Sequence, residues 1–221
     1  MSKITVGIIE DSEIHRAWIE AELIGENSFK IVSMDSSGRN GIESAKNYSP
    51  DVIILDFQLQ DMTGLEVARR IKIHNESAKI FMLTAHTEIS ILERIIGDKN
   101  INAIAVKGSP YLDENLLSAI KYIAEDGTYL DPSLLRKLRD SGKLTGLAAL
   151  TKREFEIFIQ VHAGKSDANI AQDLCVEMSH VKNIKSKISK KTQKDDIASL
   201  LSSLAANAYP DRVEEKNHER T

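Results

Sequence analysis

The stretch VIILDFQLQDMTG, Val52 to Gly64, opens with four consecutive apolar residues and closes them with a carboxylate, Asp56. A run of Val, Ile and Leu without polar alternation is the pattern of a strand covered on both faces, as in a parallel sheet with helices on each side. Asp56 then stands at the C-terminal end of that strand, the edge of an open α/β sheet where ligands and chemistry collect. Outward from it, ITVGII, KIVSMD, KIFMLTA and AIAVK supply four more short strands that alternate with helical patterns, which predicts a five-stranded α/β sheet. The intervening helices are read from apolar spacing: Ile14, Trp18 and Ala21 after Asp11 and Ser12; Leu65, Ala68 and Ile71 after Gly64; Ile89, Leu92 and Ile96; Leu116, Ile120 and Ile123.

The second half reads differently. EDGTYLDPSLLRKLRDSGKLTG mixes Gly, Pro and charge with weak periodicity and is expected to be a linker with one helix. LTKREFEIFIQVHAG then starts a helix with Thr151 as N-cap and Glu154 at the third helical position, a capping-box pattern, and stops at Gly164. SDANIAQDLCV, MSHVKNIKSKISKKT and a stripe of Ile197, Leu200, Leu201 and Leu204 complete an all-helical region, and the polar end YPDRVEEKNHERT is expected to fray. Charge separates the halves: residues 1–127 hold 20 acidic and 13 basic side chains, net −7, while residues 150–194 hold 5 acidic and 9 basic, net +4. Only the second half is suited to a polyanion. No run of about 18 apolar residues and no basic leader before an apolar stretch is present, so a cytoplasmic protein without a membrane partner is expected. The lone Cys175 is expected to be a buried apolar thiol.

Carboxylates close two strands, Glu10 with Asp11 after VGII and Asp56 after VIIL. If those strands are neighbours, three like charges meet at one edge, and a hard cation such as Mg²⁺ would relieve their repulsion while keeping waters and a phosphate in its octahedral shell. Two further strand ends bring the hydroxyl of Thr84 and the ammonium of Lys107, both suited to phosphoryl oxygens. Singly, each has a plain structural explanation as a cap, a turn or a solvated side chain; together, in chain order, they form a set.

That set resembles the receiver domain of bacterial response regulators, with flavodoxin-like strand order 2-1-3-4-5, over about residues 3–126. The resemblance implies that Glu10 and Asp11 hold Mg²⁺ together with the phosphoacceptor Asp56 and the backbone carbonyl of Gln58, and that Thr84 and Lys107 bind the phosphoryl group. Gly64 matches the family's turn, and Gln60 stands where a proline is common. The family's switch aromatic, three residues before the lysine, is replaced by Ile104, which predicts a weak switch: a buried Ile has no polar edge to trade between two states. A phosphohydrolase is disfavoured because position 58 is Gln and not a second aspartate.

Residues 178–194 carry six lysines and no acid. Val181, Ile184 and Ile188 form one stripe, which leaves Ser179, Lys182, Asn183, Ser186 and Lys190 on the opposite face, as in a helix-turn-helix whose second helix enters the major groove. With Lys185 these are the expected DNA contacts. Residues 150–205 resemble the C-terminal domain of NarL/FixJ-type (LuxR-type) regulators, in which the last helix, here Ile197 to Leu204, pairs two subunits. His180, Ile184, Lys187 and Thr192-Gln193 depart from that family's usual residues, so its recognition code does not transfer. The expected organisation is a receiver at 1–127, a linker at 128–149, a four-helix helix-turn-helix domain at 150–206 and a tail at 207–221. The expected function is a transcriptional response regulator, not an enzyme, phosphorylated on Asp56 by a histidine kinase and binding double-stranded DNA as a homodimer. The alternative is a receiver-containing adaptor that acts through protein contacts.

Overall fold

A computed structural model describes residues 3–142, 147, 149–162 and 165–192. The chain divides into two compact units, Met1–His86 with Lys99–Asp131, and Thr87–Asp98 with Pro132–Thr221.

The first unit is built on a parallel sheet of β1 (Ile4–Ile9), β2 (Phe29–Asp35), β3 (Val52–Asp56), β4 (Lys79–Thr84), β5 (Ala103–Val106) and β6 (Tyr129–Leu130), in the order β2-β1-β3-β4-β5-β6. The receiver-type sheet is as expected except for its size: among the described residues it has six strands, not five. The sixth is two residues long, too short to show any periodicity, and lies in DGTYLD, where it pairs with β5 through Tyr129 opposite Ala103.

Every residue of β3 is buried, as the unbroken apolar run requires. One face of the sheet, from Val6, Ile8, Val52, Ile54, Phe81, Leu83, Ala103 and Ala105, packs on α1 (Glu13–Ile24) and α5 (Pro110–Ala124) through Ile19, Leu23, Leu112, Leu116, Ile120 and Ile123. Each such side chain contributes roughly 1.5–3 kcal/mol by leaving water. The other face is covered by α2 (Gly38–Tyr48) and α3 (Gly64–His74). The stripe expected on α1 is misphased: Trp18 packs against the core, but Ile14 is 80% exposed and Ala21 is exposed, whereas Ile19 and Leu23 are buried. Apolar residues lie nearly all round α1, so the phase was set by the sheet and not by the spacing.

The loops that lead from β1, β2, β3 and β5 into the next helix end in hydrogen-bonded N-caps. Ser12 accepts from the His15 amide, Ser37 from Asn40, Thr63 from Glu66 and Ser109 from Tyr111, with Pro110 opening α5. These caps satisfy orphan helix donors and fix where each strand-end loop stops.

The second unit contains α4 (Ile89–Ile96), α6 (Pro132–Asp140), α7 (Lys152–His162), α8 (Asp167–Asp173) and α9 (Met178–Thr192). The capping box at α7 is present, with the Thr151 amide on Glu154 Oε2 at 2.8 Å and the Glu154 amide on Thr151 Oγ1 at 3.3 Å. α6 is tied to this unit: Arg139 donates to the Leu150 carbonyl at 3.0 Å and lies 4.4 Å over the Phe155 ring, and Arg136 pairs with Glu156 at 3.2 Å. Cys175 departs from expectation. It is exposed, with φ 51, because the tight turn between α8 and α9 takes the left-handed region there and turns the thiol to solvent. The stop at Gly164, the Ile197–Leu204 helix and the tail lie outside the described residues.

Candidate functional site at the sheet edge

Register assembles the site. Ile9 lies opposite Leu55, so Glu10 and Asp56 are the next residues on adjacent strands; Asp56 lies opposite Leu83, and Thr84 opposite Val106, which brings Lys107 to the same edge. The Phe57 amide donates to the Leu83 carbonyl at 2.8 Å and the Lys107 amide to the Thr84 carbonyl at 2.9 Å, so pairing continues to the rim.

The Lys107 ammonium lies 2.8 Å from Asp56 Oδ2 and 2.8 Å from Glu10 Oε2, and also donates to Glu10 Oε1 at 2.9 Å. Glu10 Oε2 is buried and lacks hydrogen-bond alignment despite that ionic neighbour. Burial raises the Glu10 carboxyl above its ordinary range and the Asp56 charge adds to this, while the hydrogen bond and charge of Lys107 pull it down. Asp56 Oδ1 accepts from the Gln58 amide at 3.2 Å, and the fully buried Thr84 accepts from the His86 amide at 2.9 Å. The Thr84 hydroxyl proton therefore remains available for another acceptor.

Glu10, Asp11 and Asp56 each offer an oxygen within 4.8 Å of the others. Three convergent carboxylates, one with a buried unbonded oxygen, around a spot that already attracts an ammonium fit a hard divalent cation. Asp11 and Asp56 border a cavity of about 320 Å³ that Gln58, Gln60, His86 and Lys107 also line.

Gly64 explains the tightness of the loop after Asp56. Its amide donates to the Phe57 carbonyl at 2.7 Å, and a Cβ there would lie 2.4 Å from the Asp56 carbonyl oxygen. Sequence reasoning missed three neighbours. His86 Nε2 shares a 2.8 Å hydrogen bond with Gln58 Oε1, His15 lies 3.6 Å from Glu10, and Arg16 donates to the Glu10 carbonyl at 2.7 Å. Only the Arg16 and His15 spacing, one helical turn after the carboxylate pair, carried any signal.

The pattern of the response regulator receiver domain matches residues 6–121. The chain belongs to the response regulator receiver family. The response regulator protein VraR of Staphylococcus aureus is 28% identical to it over 191 residues, covering 84% of this chain and 90% of that protein. Among solved structures, RcsB from Salmonella enterica serovar Typhimurium, bound to a promoter in the presence of the phosphomimetic BeF3−, aligns with TM-score 0.57 at 21% identity over 93% of this chain and all (100%) of that one. A LuxR-family two-component response regulator from Aurantimonas sp. aligns with TM-score 0.56 at 18% identity, over 63% of this chain and 98% of that one. These structures share the receiver's fold, and the NarL/FixJ-type architecture expected from sequence is borne out. No described helix is long and apolar enough to cross a membrane.

In the second unit the α9 stripe is as expected: Val181, Ile184 and Ile188 are buried, while Ser179, Lys182, Asn183, Ser186 and Lys190 are exposed. Two lysines of α9 are engaged inside the unit, Lys185 with Asp167 at 2.8 Å and Lys191 with Glu154 at 2.7 Å. His180 and Lys187 are exposed beside Asn183.

Proposed function

We propose that the protein is a transcriptional response regulator in which Asp56 accepts a phosphoryl group from a histidine kinase and the C-terminal helices bind duplex DNA. The observation that carries this reading is the convergence of Glu10, Asp11, Asp56, Thr84 and Lys107 at one edge of adjacent parallel strands. In the reaction a carboxylate oxygen of Asp56 forms the new bond to phosphorus, and the donor's nitrogen leaves with the electron pair of the bond that breaks. The work of the site is positioning and electrostatics. Glu10, Asp11, Asp56 and the Gln58 carbonyl are the residues that would hold Mg²⁺, which when bound neutralises charge on the phosphoryl oxygens. Lys107 pairs with one phosphoryl oxygen, and the Thr84 hydroxyl donates to another. The product adds roughly −1.5 to −2 of charge at the rim, and that charge is the signal.

For the DNA-binding half, Ser179, Lys182, Asn183, Ser186 and Lys190 support a groove-facing set, with Asn183 and Lys182 placed to read base edges and the other lysine to neutralise phosphate. Lys185 joins them only by exchanging Asp167 for a phosphate. A homodimer paired through Ile197, Leu200, Leu201 and Leu204 is the proposed DNA-bound form. Labelling by acetyl phosphate with Mg²⁺ tests the first half: Asp56→Asn is expected to abolish it, since an amide is not the attacking carboxylate, and unchanged labelling sinks the assignment. A gel shift with fragments selected from genomic DNA separates this reading from the adaptor alternative.

A further inference from the structure

If the loop after Asp56 presents the Gln58 carbonyl to a cation it must hold one conformation, yet Gln60 stands where a proline, whose ring would fix φ, is common in the family. Something else has to hold the loop. The Asp61 carboxylate crosses to the start of α2, where Oδ1 accepts from the Gly38 amide at 2.8 Å and Oδ2 from the Arg39 amide at 2.9 Å. Two amides at a helix N-terminus give a carboxylate charge-assisted bonds and a favourable dipole. Those bonds hold the Asp61 carboxyl below its ordinary range.

Neighbouring contacts act in the same direction. Met62 lies so close to Gly38 that a Cβ on the glycine would come within 2.6 Å of it. The Leu59 amide donates to the Met62 carbonyl at 3.3 Å, and Gln58 bridges to Thr63. Gln58 thus sits in a loop whose tip is pinned to another helix 22 and 23 residues earlier in the chain.

We propose that Asp61 is a positioning residue for the cation site: by anchoring the tip of the 57–63 loop to α2 it preorganises the Gln58 carbonyl, replacing the missing proline. This rests on the reading of Glu10, Asp11, Asp56 and Gln58 as the Mg²⁺ site. Preorganisation acts on affinity because an unanchored loop must be ordered when the ion binds.

The test is calorimetric titration of Mg²⁺ into the full chain, paired with amide hydrogen exchange of residues 57–63 in ion-free protein. Asp61→Ala is expected to weaken Mg²⁺ about 2- to 5-fold and to speed exchange in the loop, the scale set by a loop constraint of this kind. Gln60→Pro added to Asp61→Ala is expected to restore most of the affinity. Two requirements of a proline are met there: Gln60 is not among the residues with positive φ, and its amide makes no hydrogen bond among the described residues. Ser37→Ala removes the cap that accepts from the Asn40 amide without touching Asp61, so it lowers α2 stability and is expected to leave Mg²⁺ affinity unchanged.

If Asp61→Ala binds Mg²⁺ like the parent, or Ser37→Ala loses as much affinity as Asp61→Ala, Asp61 is only a cap for α2 and the inference fails. If the proline does not restore affinity, loop anchoring is not the cause and the inference likewise fails. A parent protein that does not bind Mg²⁺ overturns the reading of the site itself, a result distinct from either of these.

Discussion

Replacing Gly64 by alanine isolates the geometry on which Asp56 depends. The added Cβ would lie 2.4 Å from the Asp56 carbonyl oxygen and 2.9 Å from the Phe57 Cα, both backbone atoms, with Met82 Sδ at 3.0 Å on a third side. Because Cβ contacts below 3.0 Å essentially never occur, the gap to the Asp56 carbonyl has to open by at least 0.6 Å. The two closest atoms are backbone and not the ends of side chains, so the strand end and the start of α3 must move apart. Overpacking of this kind costs about 1–3 kcal/mol.

The same shift moves Asp56, the proposed acceptor. If about 1 Å of misplacement costs a hundredfold in rate, a displacement of this size is worth about tenfold in acetyl phosphate labelling. Gly25→Ala is the internal control: its Cβ meets nothing closer than 3.9 Å at φ −65, so it is expected to stabilise by about 0.4–1 kcal/mol and to label normally. Urea unfolding and labelling rates of the two variants decide the matter. A Gly64→Ala protein as stable and as quickly labelled as Gly25→Ala would refute the argument.

Three further outcomes are expected. Lys191 and the Thr151 amide hold the Glu154 carboxyl below its ordinary range, so their contribution is present above about pH 4.3 and is lost as pH falls through the lower folded value; the stability gap between parent and Glu154→Gln should shrink from pH 7 to pH 3, and a constant gap would contradict this. Lys182→Ala or Asn183→Ala should each cost about 1–3 kcal/mol in specific DNA binding, measured by titration at fixed salt, and parent-like binding by both would mean α9 does not face the groove. Ile104 is 3% exposed and apolar, so beryllofluoride treatment should raise DNA affinity by no more than about tenfold, roughly 1.4 kcal/mol, and a hundredfold gain would show that Thr84 and its loop carry the full signal without an aromatic partner.

The parallel sheet and the gathering of Glu10, Asp56, Thr84 and Lys107 at its edge were legible because β3 is apolar at every position before Asp56 and because parallel register converts strand ends into neighbours. What escaped the sequence did so for identifiable reasons. The phase of α1 is ambiguous when Ile14, Trp18, Ile19 and Leu23 wrap most of the helix, and β6 is too short to have a period. Cys175 sits among apolar residues, but the left-handed backbone of its turn, not its flanks, decides its exposure. The Gln58–His86 bond joins residues 28 apart on separate loops, and the Asp61 bonds reach back to α2, so no spacing rule could connect either pair. The engagement of Lys185 and Lys191 within the second unit is equally invisible to a count of charges.

The ion pair between Lys107 and Glu10 joins residues 97 apart in the chain. During synthesis at about 5–20 residues per second, roughly 5–20 s separate the emergence of the two ends of the site. Until then Glu10, Asp11 and Asp56 have no ammonium to share, and the early strands carry their carboxylates to an edge that is not yet closed. Long-range parallel pairing is also intrinsically slow, since loop closure precedes any reward from contact. Under the proposed function, competence for phosphoryl transfer therefore waits for Lys107, near the middle of the 221-residue chain, and acceptance of a phosphoryl group would report that the sheet edge has closed.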